Sequence, residues 1–330
     1  MRIYATLLLV LALIAAACGG DDSSDDASSG EGGAITLTIS GSSTVEPITA
    51  RVGEAFNAAN PSVGVTVEGP GTGDGFKRFC TGETEVSDAS RPIKDAEAEN
   101  CAAAGINFVE LKVAFDGLTV MTAPENDAVA CLDLNDMYAL VGPESEGFSN
   151  WSDASALGAE LGGTHTPYPD ASLVITAPGE ESGTYDTFIE LVIEDLAEER
   201  GQDAAARADY QASANDNVIV ENIAGNPTSF GWVGYAFFVE NADTLKAIDV
   251  DGGEGCVTPS DATIADGSYP LARALYIYVN TDKAAENQPL TDFIDYYLSD
   301  EGLASVSAAG YVDLPADEIQ ATRDAWTASK

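Results

Sequence analysis

Hydroxyl side chains and glycines gather in four short turns of this chain: Ser42-Ser43-Thr44, Thr72-Gly73, Ser90-Arg91 and Ser182-Gly183-Thr184. Three of them stand where a helix is expected to begin. The first N–H groups of a helix have no partner within it and lie at the positive end of its dipole. Such an end suits an anion, and glycine lets the backbone approach one closely. One Ser or Thr at such a place is an ordinary helix cap. Three turns of this kind, together with an Ala-Ser-Arg turn, point to capture of a small oxyanion. Arg91 supplies a cation whose planar fork matches two oxygens of a tetrahedral anion.

The turns are carried by alternating strands and helices. Residues 34–40 (AITLTIS) alternate as a strand, and from Pro47 a helix sets Ile48, Val52, Ala55 and Phe56 on one face. A strand at 63–68 runs through the glycine-rich turn 69–75 into a helix starting at Phe76. A short strand at Val86, a helix over 95–104 and a mostly extended run over 106–120 follow. The layout repeats with a strand at 173–176, the Ser182 turn and a helix from Tyr185 to about Glu199. An aromatic strand and turn at 229–235, a strand at 274–279 (ALYIYV) and helices at 290–298 and 301–308 complete the pattern. This is an α/β chain with crossover connections. It divides into two lobes, residues 34–117 plus 272–330 and residues 118–271, with crossings near Asp116-Gly117 and near Leu271–Arg273. Two crossings make a hinge, and the cleft beside it is the expected ligand site.

Composition narrows the partners. The 330 residues carry 55 Asp and Glu against 14 Lys and Arg, a formal net charge of −41. No basic surface remains to neutralise nucleic acid or an anionic membrane. A small anion stays admissible, because contacts in a dry cleft outweigh a field screened over about 8 Å. The bulk of the acidity reads as solubility.

The N-terminus reads as an export signal. Met1-Arg2 precedes an apolar run from Leu7 to Ala17, too short to span a bilayer comfortably, and small residues lead into Cys18 as in a bacterial lipobox. Residues 1–17 are therefore expected to be a lipoprotein signal peptide, with Cys18 acylated. Residues 18–33 form an acidic leash, poor in apolar side chains and suited to a tether. With Cys18 set aside, four cysteines remain: Cys80, Cys101, Cys131 and Cys256. In an exported chain they suggest two disulfides, in any of three pairings, and their spacing is not that of a zinc site.

The segments ISGSSTVEPI, GPGTGDGFKRFCTGETEVSDASRPI, VAFDGLTVM, ESGTYDTF and NPTSFGWVGYAFF resemble, in that order, the phosphate-binding proteins of ABC importers. The resemblance runs from about residue 35 to about residue 315 and implies the two-lobed type II periplasmic-binding-protein fold. It further implies closure on one inorganic phosphate, no cofactor and no catalysis, and no cluster of His, Cys and carboxylates has the spacing of a metal site. Carried over, the phosphate-binding residues are Ser43, Thr44, Thr72, Ser90, Arg91, Ser182, Gly183 and Thr184. The best-known members have Asp where Arg91 stands, to accept the ligand's proton, and Arg where Pro178 stands. Glu181 and Asp116 are the first candidates for the displaced acceptor, ahead of Asp186 and Asp216. A disulfide across the lobes would block closure, so Cys80–Cys101 and Cys131–Cys256 are the expected pairs. The lipobox reading anchors the chain by lipid on the outer face of the cell membrane, a monomer is expected, and the resemblance implies delivery to ABC permease subunits.

Two other functions compete. A binding protein for sulfate, molybdate or a phosphonate would use the same helix ends. A serine hydrolase acting through Ser43 or Ser182 would need a base, and the chain's single histidine, His165, falls in a loop that reads as surface.

Overall fold

The computed structural model describes residues 35–330. The expected signal peptide, Cys18 and the leash at 18–33 lie outside the described residues. The first half contains β1 (Ile35–Gly41), α1 (Glu46–Ala59), β2 (Val63–Glu68), α2 (Thr72–Phe79), β3 (Val86–Ala89), α3 (Asp95–Ala103) and β4 (Phe108–Thr122). Next come β5 (Cys131–Asp133), α4 (Leu134–Val141), α5 (Ser155–Leu161), β6 (Val174–Ala177) and α6 (Gly183–Phe188). A π turn at Ile189–Ile193 joins α6 to α7 (Glu194–Arg200). Then follow β7 (Gln211–Ala212), α8 (Asp216–Ala224), β8 (Ser229–Gly234), α9 (Tyr235–Glu240), β9 (Lys246–Ala247), β10 (Asp249–Asp251) and β11 (Cys256–Val257). The chain ends with α10 (Asp261–Ala265), β12 (Ala272–Asn280), α11 (Thr281–Glu286), α12 (Gln288–Tyr297), α13 (Asp300–Ala308) and α14 (Ala316–Ser329).

Local rules account for most of these elements. Pro47 stands in the first turn of α1, where its missing N–H costs nothing, and Ile48, Val52 and Phe56 form the buried face. The sheet order is β2-β1-β3-β12-β4-β8-β6-β7, with β9 on β4. β1 pairs parallel with β2 and β3, whereas β12 runs antiparallel to β3 and β4. β4 is 15 residues long and serves both halves of the sheet. Its residues 108–117 pair with β12, and 118–121 pair with β8. Two large apolar cores flank this strand. One gathers Leu37, Ile39, Val52, Val113, Leu275, Phe293 and Trp326. The other gathers Leu118, Leu140, Trp151, Phe188, Phe230, Trp232 and Leu271.

Both expected disulfides are present, Cys80–Cys101 and Cys131–Cys256. Two expectations need correction. Helix α2 begins at Thr72, not at Phe76, so the residues read as a glycine-rich turn include its first turn. Packing overrides propensity there. A Cβ on Gly75 would stand 2.4 Å from the Gly41 Cα, so only glycine lets α2 lie against β1. The C-terminal helix α14 also escaped the pattern, because it buries little beyond Thr322 and Trp326. No described helix is long and apolar enough to cross a membrane.

Candidate functional site

The four turns come together where the halves of the sheet meet. The turn before α1 is held by Ser42, whose Oγ accepts from the N–H groups of Thr44 (3.2 Å) and Val45 (3.4 Å). That frees Ser43 and Thr44 to reach across to α6. Ser43 Oγ donates to Asp186 Oδ2 at 2.6 Å, and Thr44 Oγ1 lies 3.3 Å from Thr187 Oγ1. Gly183 permits this approach, since a Cβ there would sit 3.3 Å from the Ser43 carbonyl oxygen and 3.5 Å from the Thr44 Cα. Ser182 caps α6, accepting from the Thr184 N–H at 3.2 Å.

Helix α2 differs from α6. Its N-cap is Gly71, with φ 108°, and no side chain caps it. Thr72 Oγ1 is 2.9 Å from Ser90 Oγ and accepts from the Ser90 N–H at 3.1 Å. The start of α2 lines a cavity of about 650 Å³ with Ser90, Arg91, Lys94, Glu190, Glu194, Asp195 and Arg273. Three of the chain's 14 Lys and Arg residues therefore border one cavity. An uncapped helix end opening on such a space offers N–H groups to an anion.

The cation at the centre is Arg273, which motif reading missed. It lies on β12, opposite Asp116 of β4 in the antiparallel register. Its side chain is 11% exposed. Nη2 donates to Thr44 Oγ1 (3.1 Å) and Thr187 Oγ1 (2.8 Å), Nη1 pairs with Glu190, and Nε stands 3.5 Å from Asp116 Oδ2. Thr187 Oγ1 also donates to Asp116 at 2.9 Å. Burial pushes the Asp116 carboxyl up, while the charge of Arg273 pulls it back. The available signal was the pair of crossings near Asp116 and Arg273, which antiparallel pairing sets side by side.

Arg91 borders the same cavity, but its guanidinium is committed. Nη1 and Nη2 fork onto the Glu97 carboxylate, both at 2.8 Å, and Arg91 lies over the Phe76 ring. Burial would raise the Glu97 carboxyl, yet the hydrogen bonds from Arg91 hold it below its ordinary value. Glu181 is exposed on the loop before α6 and does not border this cavity. The carboxylate that meets the central arginine from the cavity side is Glu190, on the π turn, with Oε2 also 3.5 Å from Ser90 Oγ. A π turn rotates the following side chains relative to a regular helix, and such turns recur at functional sites. Another cavity, of about 230 Å³, also contains an arginine, Arg207. There Asp209 accepts from Nε and Nη2 and the Phe148 carbonyl accepts from Nη2, so that guanidinium is largely spoken for.

Residues 26–301 match the family described as the PBP superfamily domain. The protein SphX of Synechocystis sp. is 36% identical over 282 residues, 85% of this chain and 79% of that one. The phosphate-binding protein PstS of Staphylococcus saprophyticus is 36% identical over 276 residues, 83% of this chain and 79% of its own. Among solved structures, a possible phosphate-binding protein from Planctomyces limnophilus superposes with a TM-score of 0.81 at 34% identity. It covers 89% of this chain and 98% of its own.

Proposed function

The chain belongs to the PBP superfamily, among the PstS-like two-lobed binding proteins, and we propose that it captures inorganic phosphate outside the cytoplasm for an ABC importer. One observation carries the reading: a single cavity joins Arg273, the uncapped start of α2 and the hydroxyls of Thr72 and Ser90. Thr44 and Thr187 hold the arginine from behind. Ser43, Thr44, Thr72, Ser90, Ser182, Gly183 and Thr184 form the phosphate-binding set, with Arg273 as its central cation in place of Arg91, which borders the cavity but is engaged by Glu97. Asp116 serves chiefly to hold Arg273, and Glu190 is the carboxylate that an incoming anion meets. A protonated phosphate can share a hydrogen bond with Glu190, whereas a fully ionised sulfate presents only lone pairs to it.

The lobes are residues 34–117 plus 272–330 and residues 118–271, hinged within β4 and where the chain enters β12. Cys18 is the lipid attachment site, and residues 18–33 tether the monomer to the outer face of the membrane, within reach of the permease. The family binds rather than catalyses, and the chain is not an enzyme. In keeping with that, Ser43 bonds to Asp186 and Ser182 caps α6, while His165 contacts Asp136 and Thr164. Calorimetry on the chain from residue 31 tests the ligand, with phosphate, sulfate and molybdate titrated separately. Phosphate is expected to bind tightest. Sulfate or molybdate binding more tightly than phosphate would overturn the assignment.

A further inference from the structure

The two disulfides stand in opposite surroundings. Cys80 is 5% exposed and Cys101 is fully buried, in a cluster with Phe76, Phe79 and Tyr278. The polar neighbour of Cys80 Sγ is the Glu97 carbonyl oxygen, at 3.5 Å. The second bridge ties β5 to β11, the outer strands of a three-stranded sheet whose centre is β10. Cys256 is exposed and Cys131 half-buried. His165 lies beside them, with Nε2 3.8 Å from Cys256 Sγ and a ring nitrogen within 4.8 Å of both sulfurs.

The imidazole is oriented, not loose. Nδ1 is 2.8 Å from Asp136 Oδ2. Asp136 is fully buried and fixed by the Tyr168 hydroxyl (2.7 Å), while its Oδ2 also accepts from the Asp133 N–H (3.0 Å). Asp133 in turn accepts from the N–H and Oγ1 of Thr164, both at 2.7 Å, which pins the loop carrying His165. A carboxylate only accepts, so the ring proton sits on Nδ1 and the Nε2 lone pair faces the sulfurs.

We propose that Cys131–Cys256, with His165 as base and Asp136 orienting it, is a thiol–disulfide exchange site addressed by a dithiol reductant. The incoming thiol gives its proton to Nε2, and its sulfur attacks the exposed Cys256 Sγ. The Cys131–Cys256 bond breaks, and Cys131 leaves as a thiolate that takes the proton back from the imidazolium. The second thiol of the reductant then displaces Cys256, its own proton passing to that sulfur. Two electrons and two protons have moved: the chain holds two thiols and the reductant an internal disulfide. The attacking thiolate is the reactive species, so a base beside the scissile bond speeds exchange at this bridge and not at the buried one.

The oxidised chain would be exposed to dithiothreitol, trapped with an alkylating agent over time and mapped by mass spectrometry. Cys131 and Cys256 are expected to be labelled about a hundredfold or more faster than Cys80 and Cys101, the low end for one acid–base group. H165A, with its melting temperature checked for intact folding, is expected to lose most of that advantage, and imidazole added to the buffer to restore part of it. Equal opening of the two bridges, H165A reacting as fast as the parent, or slowing that imidazole does not relieve would each overturn the proposal.

Discussion

Two regions of this molecule each hold an aspartate and an arginine, and they use them in opposite ways. In β3, Asp88 is fully buried and its Oδ2 has no hydrogen-bond partner among the described residues, while Arg91, in the turn that follows, faces away onto Glu97. At the β4–β12 crossing, the buried Asp116 and Arg273 stand opposite each other and share Thr187. Closeness in sequence gives the first region an acid and a base that do not meet. Strand pairing gives the second an acid and a base that do. An arginine near a motif is thus weaker evidence for a site than an arginine whose partners the sheet dictates.

The largest test of that contrast is R273A, expected to weaken phosphate binding by about 3 kcal/mol or more, the scale for truncating a buried, hydrogen-bonded charge. R273K should recover only part, because an ammonium cannot fork. Calorimetry decides, and affinity within threefold of the parent would end the distinction between the regions.

The next test concerns Asp88, whose carboxyl burial raises to about 8, helped by the charge of Glu46 and opposed by the hydrogen bond from Thr49 at 3.0 Å. The native state then keeps a proton that the unfolded chain releases near its ordinary carboxylate value. The associated stability is present below about pH 4 and is lost as pH rises towards 8, by up to ~1.4 kcal/mol per pH unit. D88N removes this titration. Urea midpoints between pH 4.5 and 8 should fall more steeply for the parent than for D88N, and parallel slopes would show that Asp88 does not titrate in that window.

A smaller effect is expected at Glu190. E190Q should strengthen sulfate binding by about tenfold while phosphate gains less, because the charge opposing a fully ionised anion has gone. A sulfate affinity unmoved in competition calorimetry would remove Glu190 from selectivity. The smallest expected change is R91A, whose ion pair with Glu97 is partly exposed, at 30% and 20% for the two side chains. Its loss should cost phosphate binding less than about 1 kcal/mol. A larger loss would restore Arg91 as a direct ligand.

Much of this site could be read from sequence, for a local reason. Thr44, Thr72 and Ser90 sit in turns between strands and helices, and turn chemistry is written in neighbouring residues. The strand at 63–68 and the helix near 95–103 were legible in the same way, from alternation and a helical stretch between turns. Arg273 was not, since no local pattern marks a strand residue whose partner lies far away in the sequence on β4. Glu190 was hidden because it lies on a π turn, which departs from the regular helical period. The start of α2 was misread because its glycines answer to the close approach of β1.

The long strand β4 has a mechanical consequence. Asp116, at the proposed hinge, lies within a single continuous strand that pairs with β12 on one side of it and with β8 on the other. Phe108 stands eight residues away, ~27 Å at about 3.4 Å per residue, so a twist of about 10° at Asp116 would swing it through ~5 Å. The proposed pivot and the partner of the central arginine are one residue. A ligand drawing on Arg273 therefore pulls at the fulcrum, where a small torsion has the longest lever.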